Sequence, residues 1–190
     1  MLLFISINLV CFGLVPAKAY QDTSLVKNIS INCPYLITPM AEDKELMLSQ
    51  NKYYPDTDGK ELTDGILAPE NSSFAHEAWQ GCAKQDRHIV TIDLQKMSVI
   101  HEIAGRFFNF PEAGIYYPEK VRISTSLDGE KWSSPITTIN NVNLNSSIGI
   151  CHELGVKFEE PVKARFLQME VFINDWCFID ELIVKGENLP

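Results

Sequence analysis

KVRISTSLDGEKW, Lys120 to Trp132, sets Val121, Ile123 and Thr125 on one side of an extended chain and then turns at Asp128-Gly129. A period of two running into Asp-Gly marks a strand that enters a tight turn. The pattern recurs through the rest of the chain. HIVTIDL (88–94) alternates Ile89, Thr91 and Asp93 against Val90, Ile92 and Leu94. VIHEIAGRFF (99–108) sets Ile100, Glu102, Ala104 and Arg106 opposite His101, Ile103, Gly105 and Phe107. GICHELGVKF (149–158), ARFLQMEVFI (164–173) and CFIDELIVKG (177–186) continue it. Turn-forming clusters are expected to separate the strands: NFPEAG (109–114), NNVNLNSS (140–147), EEPVK (159–163) and INDW (173–176). Upstream, MAEDKELMLS (40–49) and NSSFAHEAW (71–79) could each form a helical turn. Short strands with regular turns predict an all-β sandwich or barrel.

The first 19 residues stand apart. LLFISINLVCFGLVPAKA is an apolar run ending in small residues at Ala17 and Ala19, the shape of a secretory signal with an A-x-A cleavage site. Leu2 to Val15 is short for a membrane span, which needs about 20 apolar residues. Residues 20–190 are then expected to form a single domain, within the usual range of about 100–200 residues. The net charge of −9 makes the chain a poor candidate for nucleic acid or anionic membrane, because both need a basic footprint. Secretion permits disulfides among Cys33, Cys82, Cys151 and Cys177, and four cysteines allow three pairings. Asn28, Asn71 and Asn145 head glycosylation tripeptides.

Five stretches in register carry a family resemblance. They are LTDGI with Trp79 and Gly81; IVTIDL (89–94); GIYYPEKVRISTSLDGEKW (114–132); ARFLQMEV (164–171); and WCFIDELIVKG (176–186). Their order resembles the discoidin, or coagulation factor V/VIII C-type, superfamily. Within it the chain is most similar to bacterial family 32 carbohydrate-binding modules and related extracellular domains. The resemblance runs over roughly residues 28 to 187. It implies a galactose-binding-like jelly roll of two packed antiparallel sheets and about eight strands. It also implies a structural calcium joining the loop after the first strand to an acid on the last one. That carries over to Asp64 and Glu181, with Asp58 as a further ligand.

The acidic stretch YYPDTDGKELTDG (53–65) suits such a cation, because calcium takes carboxylate, carbonyl and hydroxyl oxygens. An EF-hand is excluded: Lys60 occupies its third ligand position and Glu61 replaces its glycine. The duller reading has these acids forming Asx-turns that face water. No nucleophile elbow, zinc-protease helix or phosphate loop is present, and no catalytic residue is assigned. Asp180 and Glu181, as neighbours on a strand, should point to opposite faces and so could not share a substrate.

A non-catalytic carbohydrate-binding module is the expected function, with a glycan or cell-surface polysaccharide as partner. Sugar C–H faces pack on aromatic rings, and sugar hydroxyls need polar partners. The candidates are residues in turns: Trp176 with Asn174 and Asp175, Phe108 and Asn109 with Tyr117, and His76 and Arg87 near Trp79. Trp79 and Trp132 are expected in the core, one of Tyr116 and Tyr117 should point inward, and Arg106 could serve a buried ion pair. The competing function is an adhesion module for a protein or lipid surface.

Overall fold

In the computed structural model, which describes residues 26–39, 54, 56, 58–70, 72–82, 87–142, 149–173 and 175–190, the alternating segments are strands. The signal-like segment and MAEDKELMLS lie outside the described residues. The strands are β1 (Lys27–Asn28), β2 (Tyr35–Pro39), β3 (Gln80–Cys82), β4 (Arg87–Asn109), β5 (Lys120–Ser126), β6 (Ile136–Ile139), β7 (Ile150–Phe172) and β8 (Cys177–Asn188). All pairings are antiparallel.

The two longest strands, β4 and β7, each have 23 residues and bend, so that each serves both layers of a jelly-roll sandwich. The first half of β4 pairs with β2 and with the second half of β7, which β5 and β6 extend. The second half of β4 pairs with the first half of β7 and with β8, and β8 carries β1 and β3 at its other edge. The corner in β4 lies between Asp93 and Ser98, where the ladder to β7 breaks register. Gln95 takes a left-handed conformation there (φ 64°), uncommon for a side chain with a Cβ. Asp93 holds the corner by accepting from the Gln95 N–H (2.8 Å) and from both forks of Arg165 (2.7 and 2.8 Å).

The main core lies between the layers. Val90, Ile92, Leu94, Val121, Ile123, Leu167, Met169 and Val171 enter it from one layer; Ile103, Phe107, Leu154, Val156, Leu182 and Val184 enter from the other. A second, smaller core lies on the opposite face of the second layer, built from Phe108, Phe178, Trp79, Ala68, Ala78 and Ile115. Phe107 and Phe108 are neighbours that serve different cores, as a two-residue period requires.

Three expectations are corrected. EEPVK does not separate two strands, for β7 stays extended through it. The chain instead leaves the ladder between Lys157 and Val162, which removes the demand for a Pro161 N–H. Trp132 is half-buried beside Ser126 rather than part of either core. Trp79, by contrast, is buried as expected. Asp180 and Glu181 do not point to opposite faces. Arg106 is paired with Glu181 but Phe107 with Ile179, so Asp180 is the extra residue of a β-bulge. The bulge switches parity: Cys177 and Ile179 face the main core before it, Leu182 and Val184 after it. Both acids therefore face the loop that crosses the outer side of the sheet.

Candidate functional site

That loop covers the second core and is tied down by polar groups it meets on the strands. The Leu62 carbonyl accepts from the Leu182 N–H (2.8 Å), and Thr63 Oγ1 donates to the Cys33 carbonyl (2.9 Å). Gly65 N–H donates to Glu181 Oε2 (3.0 Å), and Ala68 N–H to Asp180 Oδ2 (2.9 Å). Arg106 completes the clamp. It is ion-paired to Asp180, donates to the Ala68 carbonyl (3.0 Å) and stacks over Trp79 (5.8 Å). The buried-ion-pair reading of Arg106 holds. Burial pushes the Asp180 carboxyl up to about 6, against the opposing pull of the Ala68 N–H and Arg106.

Glu181 is 1% exposed, and among the described residues no cationic side chain pairs with it. Burial is the main reason its carboxyl is pushed up to about 8, and the charges of Asp64 and Asp180 add to it. Asn28 Nδ2 approaches its other oxygen at 3.5 Å. Asp64 caps the next turn, accepting from the Ile66 N–H (2.7 Å). The structure thus brings Asp64 and Glu181 together. A buried acid lacking a cation is a group that a hard cation would satisfy, and Asp64 and Glu181 could each offer it a carboxylate oxygen. Asp58 does not join them. It is exposed, pairs with Lys60 (3.5 Å), and clusters with Asp56 and Glu61 within 4.8 Å. Asp56 in turn accepts from the Tyr35 hydroxyl and from the Gly59 and Lys60 N–H groups (2.7 and 3.2 Å).

Beside the clamp, a pocket of about 190 Å³ opens between Tyr54, Phe74, Ala113, Ile115, Trp176 and Phe178. Four rings shape it. Tyr54 meets Phe178, Trp176 and Phe74 edge-on at centroid distances of 4.7, 5.9 and 6.3 Å. Trp176 lies 6.0 Å from Phe178. A Cβ at Gly81 would stand 2.9 Å from the Tyr54 Cβ and from the Phe178 ring, so glycine there lets these two rings close together. The Pro111–Ala113 turn ends at Gly114 in a left-handed conformation (φ 72°), which carries the chain back past Trp176. The Tyr116 N–H donates to the Trp176 carbonyl (2.9 Å), locking the two loops together. Asp175 brings a carboxylate oxygen to this rim, 3.9 Å from where a Cβ of Gly114 would stand.

The expected ligand residues divide. Trp176 lines the pocket, half-buried, with Asp175 at its edge. Asn174 lies outside the described residues, as does the side chain of Arg87. His76 is half-buried and does not line the pocket, its Nδ1 accepting from the Ala78 N–H (3.2 Å). Phe108, Asn109 and Tyr117 are corrections, at 1%, 5% and 8% exposure. Phe108 packs on Trp79 at 5.0 Å, and the Tyr117 hydroxyl donates to the Ile150 carbonyl (3.0 Å). Packing and hydrogen bonding account for them, while Tyr116 is the exposed partner of the pair. Tyr54, Phe74, Ile115 and Phe178 were missed. They come from four separate parts of the chain, and only the fold brings them together.

Two packed antiparallel layers with a loop-borne aromatic pocket on one rim define a galactose-binding-like β-sandwich module. The F5/8 type C domain model matches residues 48–182, and the chain belongs to that family. Solved structures share the fold. The module CpGH89CBM32-6, produced by Clostridium perfringens, is 18% identical with a TM-score of 0.50, over 86% of this chain and 100% of that one. The lectin domain of lectinolysin, solved with Lewis B antigen, is 14% identical with a TM-score of 0.53, over 83% and 95%. A Streptococcus pneumoniae fucose binding module is 13% identical with a TM-score of 0.51, over 84% and 95%. No curated protein matches the chain.

Proposed function

We propose that this chain is a secreted, non-catalytic carbohydrate-binding module that takes a glycan into the pocket around Trp176. The pocket carries the reading. Its apolar rings offer surfaces for the C–H face of a sugar, and Asp175 offers an acceptor for hydroxyls at the rim. Three neighbours of the same fold are named as a carbohydrate-binding module, a lectin domain and a fucose binding module, which supports a glycan as the ligand class. Secretion rests on the signal-like start of the sequence. Among the described residues no helix is long and apolar enough to cross a membrane.

Calcium is the proposed structural partner, held by Glu181 of β8 and Asp64 of the covering loop with nearby carbonyl oxygens. The ion would supply the positive charge that lets Glu181 ionise while buried. A glycan array probed with and without a chelator tests both proposals. Binding to a defined glycan, weakened by the chelator, is the expected result. Retention on protein or lipid surfaces with no glycan bound would favour the adhesion reading instead. Ile66 and Leu67, exposed side by side at 57% and 50%, are the observation on that side. The net charge of −9 opposes an anionic membrane.

A further inference from the structure

The sequence leaves three cysteine pairings open, and the register of β3 and β8 discriminates among them. Cys82 stands directly opposite Cys177 on this antiparallel pair. Directly opposed residues have Cα atoms about 4.5–5.5 Å apart and side chains on the same face. A disulfide accepts Cα separations of about 4.4–6.8 Å. Both side chains enter the main core, at 2% and 3% exposure. The Cys82 sulfur is close enough to Cys177 to raise the latter's thiol electrostatically, on top of burial. Cys33 shares the main core with them, but the charge beside its thiol is Asp93 rather than either of these cysteines, and Cys151 lies outside that core. Cys33 Sγ donates to the Ile29 carbonyl (3.3 Å) at the start of the chain's described part. Cys151 sits opposite Phe108 and packs against the second core, on the other side of the sheet. All four are thiols in this structure.

We infer that Cys82 and Cys177 form a disulfide when the chain folds under oxidising conditions, stapling the short strand β3 to β8. Two S–H bonds break and one S–S bond forms. The two electrons and two protons pass to a small disulfide such as oxidised glutathione, which leaves as two thiols. Each exchange step needs a thiolate and an open path. Burial denies both once the sheet has closed, pushing the Cys82 thiol up to about 12. The bond therefore closes while β3 is still docking, and the folded dithiol exchanges slowly. The consequence for the site is direct: Gly81, beside Cys82, is the residue against which Tyr54 and Phe178 close the pocket. The inference takes its oxidising setting from the proposed secretion, but the pairing itself can be tested in a tube.

The full chain should be unfolded in denaturant with reductant and refolded in a buffer of reduced and oxidised glutathione. Remaining thiols are then blocked with N-ethylmaleimide, and the protein is digested without reductant for mass spectrometry. The expected result is a linked peptide joining Cys82 to Cys177, with Cys33 and Cys151 carrying the label. Label on both Cys82 and Cys177, or a link from either to another cysteine, would overturn the inference. The same digest of protein folded first and oxidised afterwards should show mostly labelled Cys82 and Cys177 at early times. Rapid, complete linkage there would overturn closure during docking. A missing link would leave the glycan proposal standing, because that proposal depends on the pocket and not on the bond.

Discussion

His88 shows how one buried side chain links stability to pH. It lies in β4 at 6% exposure, with Nε2 3.0 Å from Cys82 Sγ and Nδ1 without a partner among the described residues. Burial holds its pKa down to about 4. An unfolded histidine titrates near 6.5. Between those values the unfolded chain binds the extra proton and the folded chain refuses it. The share of stability owed to His88 must therefore fall as pH drops from about 6.5 to 4, by up to about 3 kcal/mol, while the raised carboxyls of Asp180 and Glu181 act in the opposite direction over the same range. Urea midpoints at pH 7 and pH 5, compared between wild type and His88→Gln, isolate it: the variant should fare better than wild type on going to pH 5, and equal changes in the two proteins would clear His88 of the role. Phe108 and Trp176 make a second contrast. Phe108→Ala should cost about 3–5 kcal/mol, because it empties a fully packed ring site. Trp176→Ala should cost clearly less, since part of that ring already faces the pocket. Equal losses by thermal unfolding would place Trp176 in the core with Phe108.

The bulge in β8 is the feature at the scale of an element on which the site depends. It turns Asp180 and Glu181 to the same side and gives each a backbone N–H of the covering loop. Asp180→Ala would leave the Arg106 guanidinium buried without its carboxylate. That change should cost about 3–5 kcal/mol by denaturant unfolding, where a surface pair would cost under about 1. Alternation in the sequence located β4, β5, β7 and β8 because apolar residues facing one core repeat every second position. Val90, Ile92, Leu94, Val121 and Ile123 were legible for that reason. The parity switch at Asp180 was not. A bulge adds one residue to one strand, and Phe-Ile-Asp-Glu-Leu-Ile reads equally well without it. The nearness of Asp64 to Glu181 was expected from family resemblance alone, and Asp58 lies instead with Asp56 and Glu61, in a group whose oxygens stand within 4.8 Å of one another and could hold a metal ion.

At the scale of the whole molecule, the chain folds as a sandwich scaffold with an aromatic pocket on one rim. The pocket escaped sequence reading because Tyr54, Phe74, Ile115 and Phe178 lie in different segments, and Phe178 sits in a strand rather than a turn. Only Trp176 announced itself, as a large ring in a loop just before the last strand. Calcium, if it joins that strand to the covering loop, must stabilise the whole fold, since it binds the native state alone. At a free concentration one hundred times its Kd the gain is about 2.7 kcal/mol. Thermal unfolding in millimolar calcium should show a higher midpoint than in chelator, and Glu181→Gln should shrink the difference. Identical midpoints would remove the metal. The central claim is that the pocket around Trp176 holds a sugar. Its most direct test is titration of the best array glycan into the wild-type chain and into Trp176→Ala, with far-ultraviolet circular dichroism to confirm that both are folded. The account predicts a loss of affinity of about 30-fold or more in the folded variant, the scale of a buried aromatic anchor. Equal affinity for the two proteins would contradict it.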